Sequence, residues 1–193
     1  MTISHYQLSM NLPNSITISR LIGLPFLFYF LTTPTPSHRW LSLVIFLLAA
    51  STDWVDGYLA RKYNLVSSIG EILDPIADKI LIVFLFFGLA INLSSYLIGF
   101  AGSIIIAREL WVSALRDFNA RNSNLNATRV TFLAKIKTTI QLFTILIYLI
   151  GLSTQFMLLI VLADILLVIA TLVTIYTGIN YTYNTFKKNT FSD

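Results

Sequence analysis

Six apolar stretches limit what this chain can become more than any other feature. They run from Ser15 to Leu31, Trp40 to Ala60, Ile72 to Ile91, Tyr96 to Leu115, Ile136 to Leu152 and Phe156 to Tyr176. A spanning helix needs roughly 20 mainly apolar residues, so each stretch is about the length of one bilayer crossing. The breaks carry turn chemistry: Pro34 and Pro36 lie between Thr32 and Arg39, while Asn92 to Ser95 and Ser153 to Gln155 are short and polar. With 193 residues, 56% of them hydrophobic and 11% charged, little chain is left over for a soluble domain. The expected architecture is an all-α polytopic membrane protein with six transmembrane helices, residues 1–193 forming a single domain. Residues 1–12 are read as a juxtamembrane segment or a loose terminus. No basic region precedes the first stretch and no small-residue cleavage pattern follows it, so it is expected to be retained as a helix.

Charge placement sets the expected orientation, because Lys and Arg beside spanning helices are held on the cytoplasmic side. With both termini inside, Arg61, Lys62, Lys79, Arg116, Arg121, Arg129, Lys135, Lys137, Lys187 and Lys188 gather at that side and only Arg39 falls outside. Arg20 and Arg108 sit within helices, closer to the cytoplasmic ends. The formal charge of +4 then reflects loops facing anionic headgroups, not a nucleic-acid partner. Cysteine is absent, which excludes disulfides and thiolate metal sites.

The strongest chemical signal is Asp53-Trp54-Val55-Asp56-Gly57-Tyr58-Leu59-Ala60-Arg61, followed by Gly70-Glu71-Ile72-Leu73-Asp74-Pro75-Ile76-Ala77-Asp78. Spacings of three and four place each aspartate pair on one helix face. Asp53 and Asp56 close the second helix while Asp74 and Asp78 open the third, so a short cytoplasmic turn brings the four together. Carboxylates gathered at that depth repel one another and are costly to desolvate, and cations must compensate. One such pair would be explained by helix ends bonded to Arg61, Lys62 or Lys79, but the whole array is not. Oxygen ligands without His or Cys select a hard ion, Mg²⁺ or Mn²⁺, and four negative charges match two divalent ions. Two such ions about 4 Å apart can clamp a transferring phosphoryl group. Gly57 and Gly70 let backbone or phosphate approach closely, and Arg61 offers a planar donor fork for phosphate oxygens. An EF-hand is excluded, since no twelve-residue acidic loop occurs.

Asp53, Asp56, Gly57, Ala60, Arg61, Gly70, Asp74 and Asp78 resemble, at every spacing, the signature of the CDP-alcohol phosphotransferases. That resemblance implies six transmembrane helices, a homodimer, and cleavage of a CDP-linked substrate with release of CMP. It further implies that Asp53, Asp56 and Asp74 bind one metal, that Asp74 and Asp78 bind a second, and that Asp78 is also the general base. Gly57, Arg61 and Ser67 match positions that hold the CDP-lipid.

The signature does not choose the acceptor alcohol. Arg108 and Arg116 lie eight residues apart on the fourth helix, roughly 12 Å along one face, and Lys135 and Lys137 open the fifth. Together they could surround a phosphate at the cytoplasmic mouth beside the aspartates, which points to a phosphorylated acceptor. As simple topology anchors they would need no such role, yet Arg108 sits deeper than an anchor, and intramembrane charge is by default functional. A second set of stretches is Asn11-Leu12-Pro13-Asn14-Ser15-Ile16-Thr17 with Arg20, Ile106-Ala107-Arg108-Glu109, Ser113-Ala114-Leu115-Arg116 and Lys135-Ile136-Lys137-Thr138-Thr139. These resemble the branch of that family that transfers phosphatidyl from CDP-diacylglycerol to sn-glycerol 3-phosphate, which implies that Asn14 and Thr17 join the CDP-lipid site. A sister transferase acting on inositol phosphate or serine is the nearest alternative. An ion or phosphate transporter is the alternative of a different class, but it would show a polar path to the outer face.

Other polar and aromatic residues carry less. His5 and His38 are expected at the surface, far from the aspartates. Asp164, inside the sixth stretch, is expected in a bundle or dimer contact. Trp40 fits an interfacial anchor, and Phe84, Phe86 and Phe87 fit packing or lipid-facing positions.

Overall fold

In the computed structural model the chain is described over residues 12–33, 35–63, 68–122 and 132–189; within these helices the side chains of 12–16, 53–63, 68–72, 74, 132–135 and 188–189 fall outside the description. Six α-helices make up the described residues: α1 (Leu12–Thr32), α2 (Pro36–Tyr63), α3 (Ser68–Asn92), α4 (Tyr96–Arg121), α5 (Phe132–Thr154) and α6 (Met157–Asn189). Four carry stretches long and apolar enough to cross a membrane: Pro75–Asn92, Tyr96–Arg121, Ile136–Thr154 and Met157–Lys187. The described apolar part of α1, Thr17–Thr32, is shorter.

The turns form as their residues dictate. Pro36 stands at the first position of α2, where a missing N–H costs nothing, and the Thr35 hydroxyl accepts the His38 N–H at 3.4 Å. Ser95 caps α4 by accepting the Ile98 N–H at 3.3 Å. At the ends of α3 and α5 the left-handed conformation is taken by Ser94 (φ 48°) and Gln155 (φ 56°). There the Ser95 N–H returns to Ala90 O at 3.0 Å and the Phe156 N–H to Gly151 O at 3.1 Å, satisfying carbonyls that the helix ends would leave bare.

The helices touch in a closed ring: α2 against α1, α1 against α3, α3 against α4, α4 against α6, α6 against α5, and α5 back against α2, with α3 also reaching α5. Leu24, Leu27 and Leu31 of α1, Leu85, Phe86 and Leu89 of α3, Ile98 and Ile105 of α4, Ile145, Tyr148 and Leu149 of α5 and Leu167 of α6 are buried in this ring. All lie toward the α3–α4 and α5–α6 turns. Gly102 permits a close approach there, since a Cβ on it would stand 2.8 Å from that of Phe86. Asp164 makes a contact inside the bundle, accepting the Tyr148 hydroxyl at 2.5 Å. Phe86 is buried and Phe87 exposed, while His38 rests against the rings of Tyr29 and Phe30.

The elements exceed their expected lengths at the opposite end. α4 runs to Arg121 rather than Leu115, and α6 to Asn189 rather than Tyr176. At 1.5 Å per residue α6 is about 50 Å long, well beyond a hydrocarbon core of about 30 Å. Its added turns carry Thr177, Tyr181 and Thr185, all buried, so packing rather than apolar composition sustains them.

Candidate active site

The end of the ring that holds the start of α3, the latter half of α4 and the start of α5 is polar inside. Arg20 of α1, with a side chain 2% exposed, donates from an Nη to Asp78 Oδ1 at 3.1 Å. Asp78 itself stays 56% exposed, so the buried arginine fixes one edge of a carboxylate that remains accessible. Thr17, one turn before Arg20, is buried. Lys79 turns toward α4 and donates to Ser113 Oγ at 2.6 Å.

Asp78 opens onto a cavity of about 500 Å³ between α3, α4 and α5. Pro75, Ile76, Ile80, Ile82 and Val83 of α3, with Ile106 and Leu110 of α4, give it an apolar wall. Asp78, Lys79, Glu109, Lys137, Thr138 and Gln141 give it a polar one. Such a groove suits a molecule with an ionic head and an aliphatic body, because each part meets matching surface. A smaller cavity of about 160 Å³ lies between α1 and α2, lined by Ser19, Arg20, Gly23, Leu24, Ile45, Leu48, Ala49 and Thr52. Arg20 thus stands between the smaller cavity and the carboxylate of the larger one.

Behind the polar wall the cations are tied into a network. Glu109 Oε1 accepts from Lys137 Nζ and, at 3.1 Å, from an Nη of Arg108. Both cations are nearly buried, with side chains 5% and 8% exposed, so an unshared charge on either would be costly. The second Nη of Arg108 donates to Thr177 Oγ1 at 2.9 Å, and the guanidinium lies 5.6 Å from the centre of the Tyr181 ring. Arg116, exposed at its own position, shares that ring at 5.9 Å. Gly178 makes room for the arginine stem, since a Cβ there would meet Arg108 Cγ at 2.9 Å. The same face of α6 continues the polar seam: Gln141 donates to Thr174 at 2.9 Å and Asn119 to Thr185 at 2.9 Å.

The structure therefore brings Asp78 and Lys137 to one cavity and links Arg108 to it through Glu109. Arg116 is joined to Arg108 through Tyr181. Asp53, Asp56, Gly57 and Arg61 lie on the last turns of α2, Asn14 on the first turn of α1, Asp74 near the start of α3 and Lys135 near the start of α5. The side chains of Asn14, Asp53, Asp56, Arg61, Asp74 and Lys135, and Ser67 altogether, lie outside the described residues. Of the four expected metal ligands, Asp78 is the one whose side chain is described. Its accessible carboxylate is an oxygen donor of the kind a hard divalent cation takes, but it is bonded to Arg20, and among the described residues no group of three or more Asp, Glu, His or Cys side chains stands close enough to hold an ion.

Sequence reasoning missed the parts of this network that join distant residues. Glu109 appears in the sequence only as the last residue of the stretch Ile106-Ala107-Arg108-Glu109, because its bond to Lys137 spans 28 positions. Thr174, Thr177, Tyr181 and Thr185 did carry a signal, as their spacings of three, four and four mark one helix face.

Comparison with known proteins assigns the chain to a family. Residues 10–181 match the model of the CDP-alcohol phosphatidyltransferase family. A relative from Rickettsia bellii is 39% identical over 175 residues, covering 89% of this chain and 93% of that protein. One from Wigglesworthia glossinidia brevipalpis is 38% identical over 136 residues, covering 70% and 75%, and one from Salmonella choleraesuis is 36% identical over 132 residues, covering 68% and 72%. All three are named CDP-diacylglycerol–glycerol-3-phosphate 3-phosphatidyltransferase. With a matched family model spanning most of its length and an Asp78 carboxylate that opens on an amphipathic cavity, this membrane-protein-like helical chain belongs to the CDP-alcohol phosphatidyltransferase family.

Proposed function

We propose that the chain transfers the phosphatidyl group of CDP-diacylglycerol to sn-glycerol 3-phosphate, forming phosphatidylglycerol phosphate and CMP in phospholipid biosynthesis. The observation that carries this reading is the cavity shared by Asp78 and Lys137, which sets a carboxylate and an ammonium group against an apolar wall. The names of the relatives support the choice of donor and acceptor.

In the proposed reaction Asp78 accepts the proton of the acceptor hydroxyl as its oxygen bonds to the phosphatidyl phosphorus and the bond from that phosphorus to CMP breaks. Arg20 holds the Asp78 carboxylate in place. Asn14, Thr17, Gly57, Arg61 and Ser67 hold the CDP-lipid, and the cavity's apolar wall lets its acyl chains remain at lipid depth. Arg108, Arg116, Lys135 and Lys137 hold the acceptor phosphate. The family is generally divalent-metal dependent. In this reading Asp53, Asp56, Asp74 and Asp78 hold two Mg²⁺ or Mn²⁺ ions, which supply charge neutralisation at the pyrophosphate. All six helices span the membrane, taken to be the bacterial cytoplasmic membrane. Both termini and the Asp78 end face the cytoplasm, residues 1–193 act as one domain, and two copies pair as a homodimer.

Purified protein in liposomes containing CDP-diacylglycerol, offered glycerol 3-phosphate, inositol phosphate or serine, tests the proposal. CMP release with glycerol 3-phosphate is expected. Release only with another alcohol would move the chain to a sister branch, and solute flux without CMP would make it a transporter.

A further inference from the structure

Glu109 is the one carboxylate besides Asp78 among the described residues that line the large cavity, and it stands where an incoming phosphate would want only cations. It accepts from both Lys137 and Arg108, two side chains that packing has almost wholly removed from water. Two desolvated cations that close need an anion of their own, and Glu109 provides it from the adjoining position on α4 and across from α5. A carboxylate and a phosphate monoester offer the same chemistry to an ammonium group: a small, hard, negatively charged oxygen. Lys137 and Glu109 both reach the cavity wall, whereas Arg108 stands behind them against Thr177 and Tyr181.

From this arrangement we infer that Glu109 is the internal counterion of the acceptor site, occupying Lys137 until the acceptor's phosphate displaces it. The inference rests on the assignment of Lys137 to the acceptor phosphate. Glu109 is thus a positioning residue that holds Lys137 in place in the empty protein. Its presence weakens phosphate binding, because its negative charge remains beside the bound dianion.

Inorganic phosphate is a suitable probe, since it shares the acceptor's anionic group and lacks its hydroxyls. Its inhibition of CMP release is measured in the full-length protein as a competitor of glycerol 3-phosphate. Replacing Glu109→Gln keeps an oxygen acceptor for Lys137 and removes the charge. The phosphate inhibition constant and the KM for glycerol 3-phosphate are then expected to fall together by roughly tenfold, the scale of one like-charge contact removed, with kcat changing less than KM. Glu109→Asp keeps the charge but withdraws it by one methylene, and should lower both constants by a smaller factor, about twofold. This second variant carries the test if the first does not insert.

Lys137→Met separates the two layers of the reasoning. If it weakens phosphate while neither Glu109 variant tightens it, the counterion role is wrong and the acceptor site stands. If it leaves phosphate inhibition and acceptor KM unchanged, the site assignment itself fails and the inference falls with it. Weaker phosphate binding in Glu109→Gln would overturn the inference in either case.

Discussion

The half of the bundle nearer the α3–α4 and α5–α6 turns and the half around Asp78 are made from the same helices by opposite means. In the first, leucine and isoleucine from all six helices fill the ring. Its polar side chains mostly bond to backbone carbonyls, as Asn92 does to Leu31 O at 2.6 Å and Ser153 to Arg39 O at 3.1 Å. In the second, side chain bonds to side chain across helices: Arg20 to Asp78, Lys79 to Ser113, Lys137 to Glu109, Arg108 to Thr177. Apolar packing tolerates small rearrangements, since any well-fitting hydrocarbon serves. A charge network does not, because each group removed leaves a buried partner unsatisfied. The contrast shows a rigid apolar frame holding a charged site whose cost of desolvation is met by mutual pairing.

α3 puts both halves on one face, with Asp78 and Leu85 two turns apart. The largest expected effect is therefore that of Asp78→Asn, which keeps the side chain's shape but cannot take a proton. CMP release should drop roughly 10²- to 10⁴-fold, while the purified protein remains inserted and folded by circular dichroism. Near-normal release would erase the distinction between the halves.

An intermediate effect is expected among the cations. Arg116→Ala or Lys135→Ala should raise the acceptor KM about 10- to 100-fold, one charge-assisted phosphate contact of about 1.5 to 3 kcal/mol, and alter the KM for the CDP-lipid less. Thr177→Val, which removes the support of Arg108 and the hydroxyl's own bond to Thr174 O, should act in the same direction and more weakly. Acceptor and lipid saturation curves measured side by side check both statements, and an unchanged acceptor KM in all three would return these residues to topology and packing.

Leu85→Ala should have the smallest effect on turnover. Leu85 is fully buried, and truncation of such a residue costs about 2 to 5 kcal/mol in a water-soluble core. Lipid tails are as apolar as leucine, so the driving force is weaker here and the loss should fall toward the lower end of that range. Thermal unfolding in detergent should shift downward with both KM values unchanged. A raised acceptor KM would show that the two halves are coupled more tightly than the contacts suggest.

Much of the first half was legible in the sequence, because apolar length and turn residues are local. The breaks that hold Pro36 and Ser95 are followed by expected starts at Trp40 and Tyr96, and the structure begins α2 at Pro36 and α4 at Tyr96. The extension of α6 was harder to see: Thr177, Asn180, Thr182 and Asn184 look like a polar tail. Their helix is held by contacts with α4, as in the Trp111 to Thr182 bond at 2.9 Å, and such pairings between distant segments leave no local mark. In the charged half the residues were legible and their partners were not. Asp78, Arg108 and Lys137 stood out by their chemistry, but that Arg20 would secure Asp78, that Glu109 would bridge two cations, and that Gly178 would clear a lane for Arg108 depended on the ring order of the helices.

The central claim is that the acidic end of the bundle performs a metal-assisted transfer that releases CMP. Its most direct test is CMP release by the full chain in liposomes with CDP-diacylglycerol and glycerol 3-phosphate, first in chelator and then with Mg²⁺ or Mn²⁺ restored. Release should stop in chelator and return with the ion; undiminished release in metal-free buffer would contradict the account.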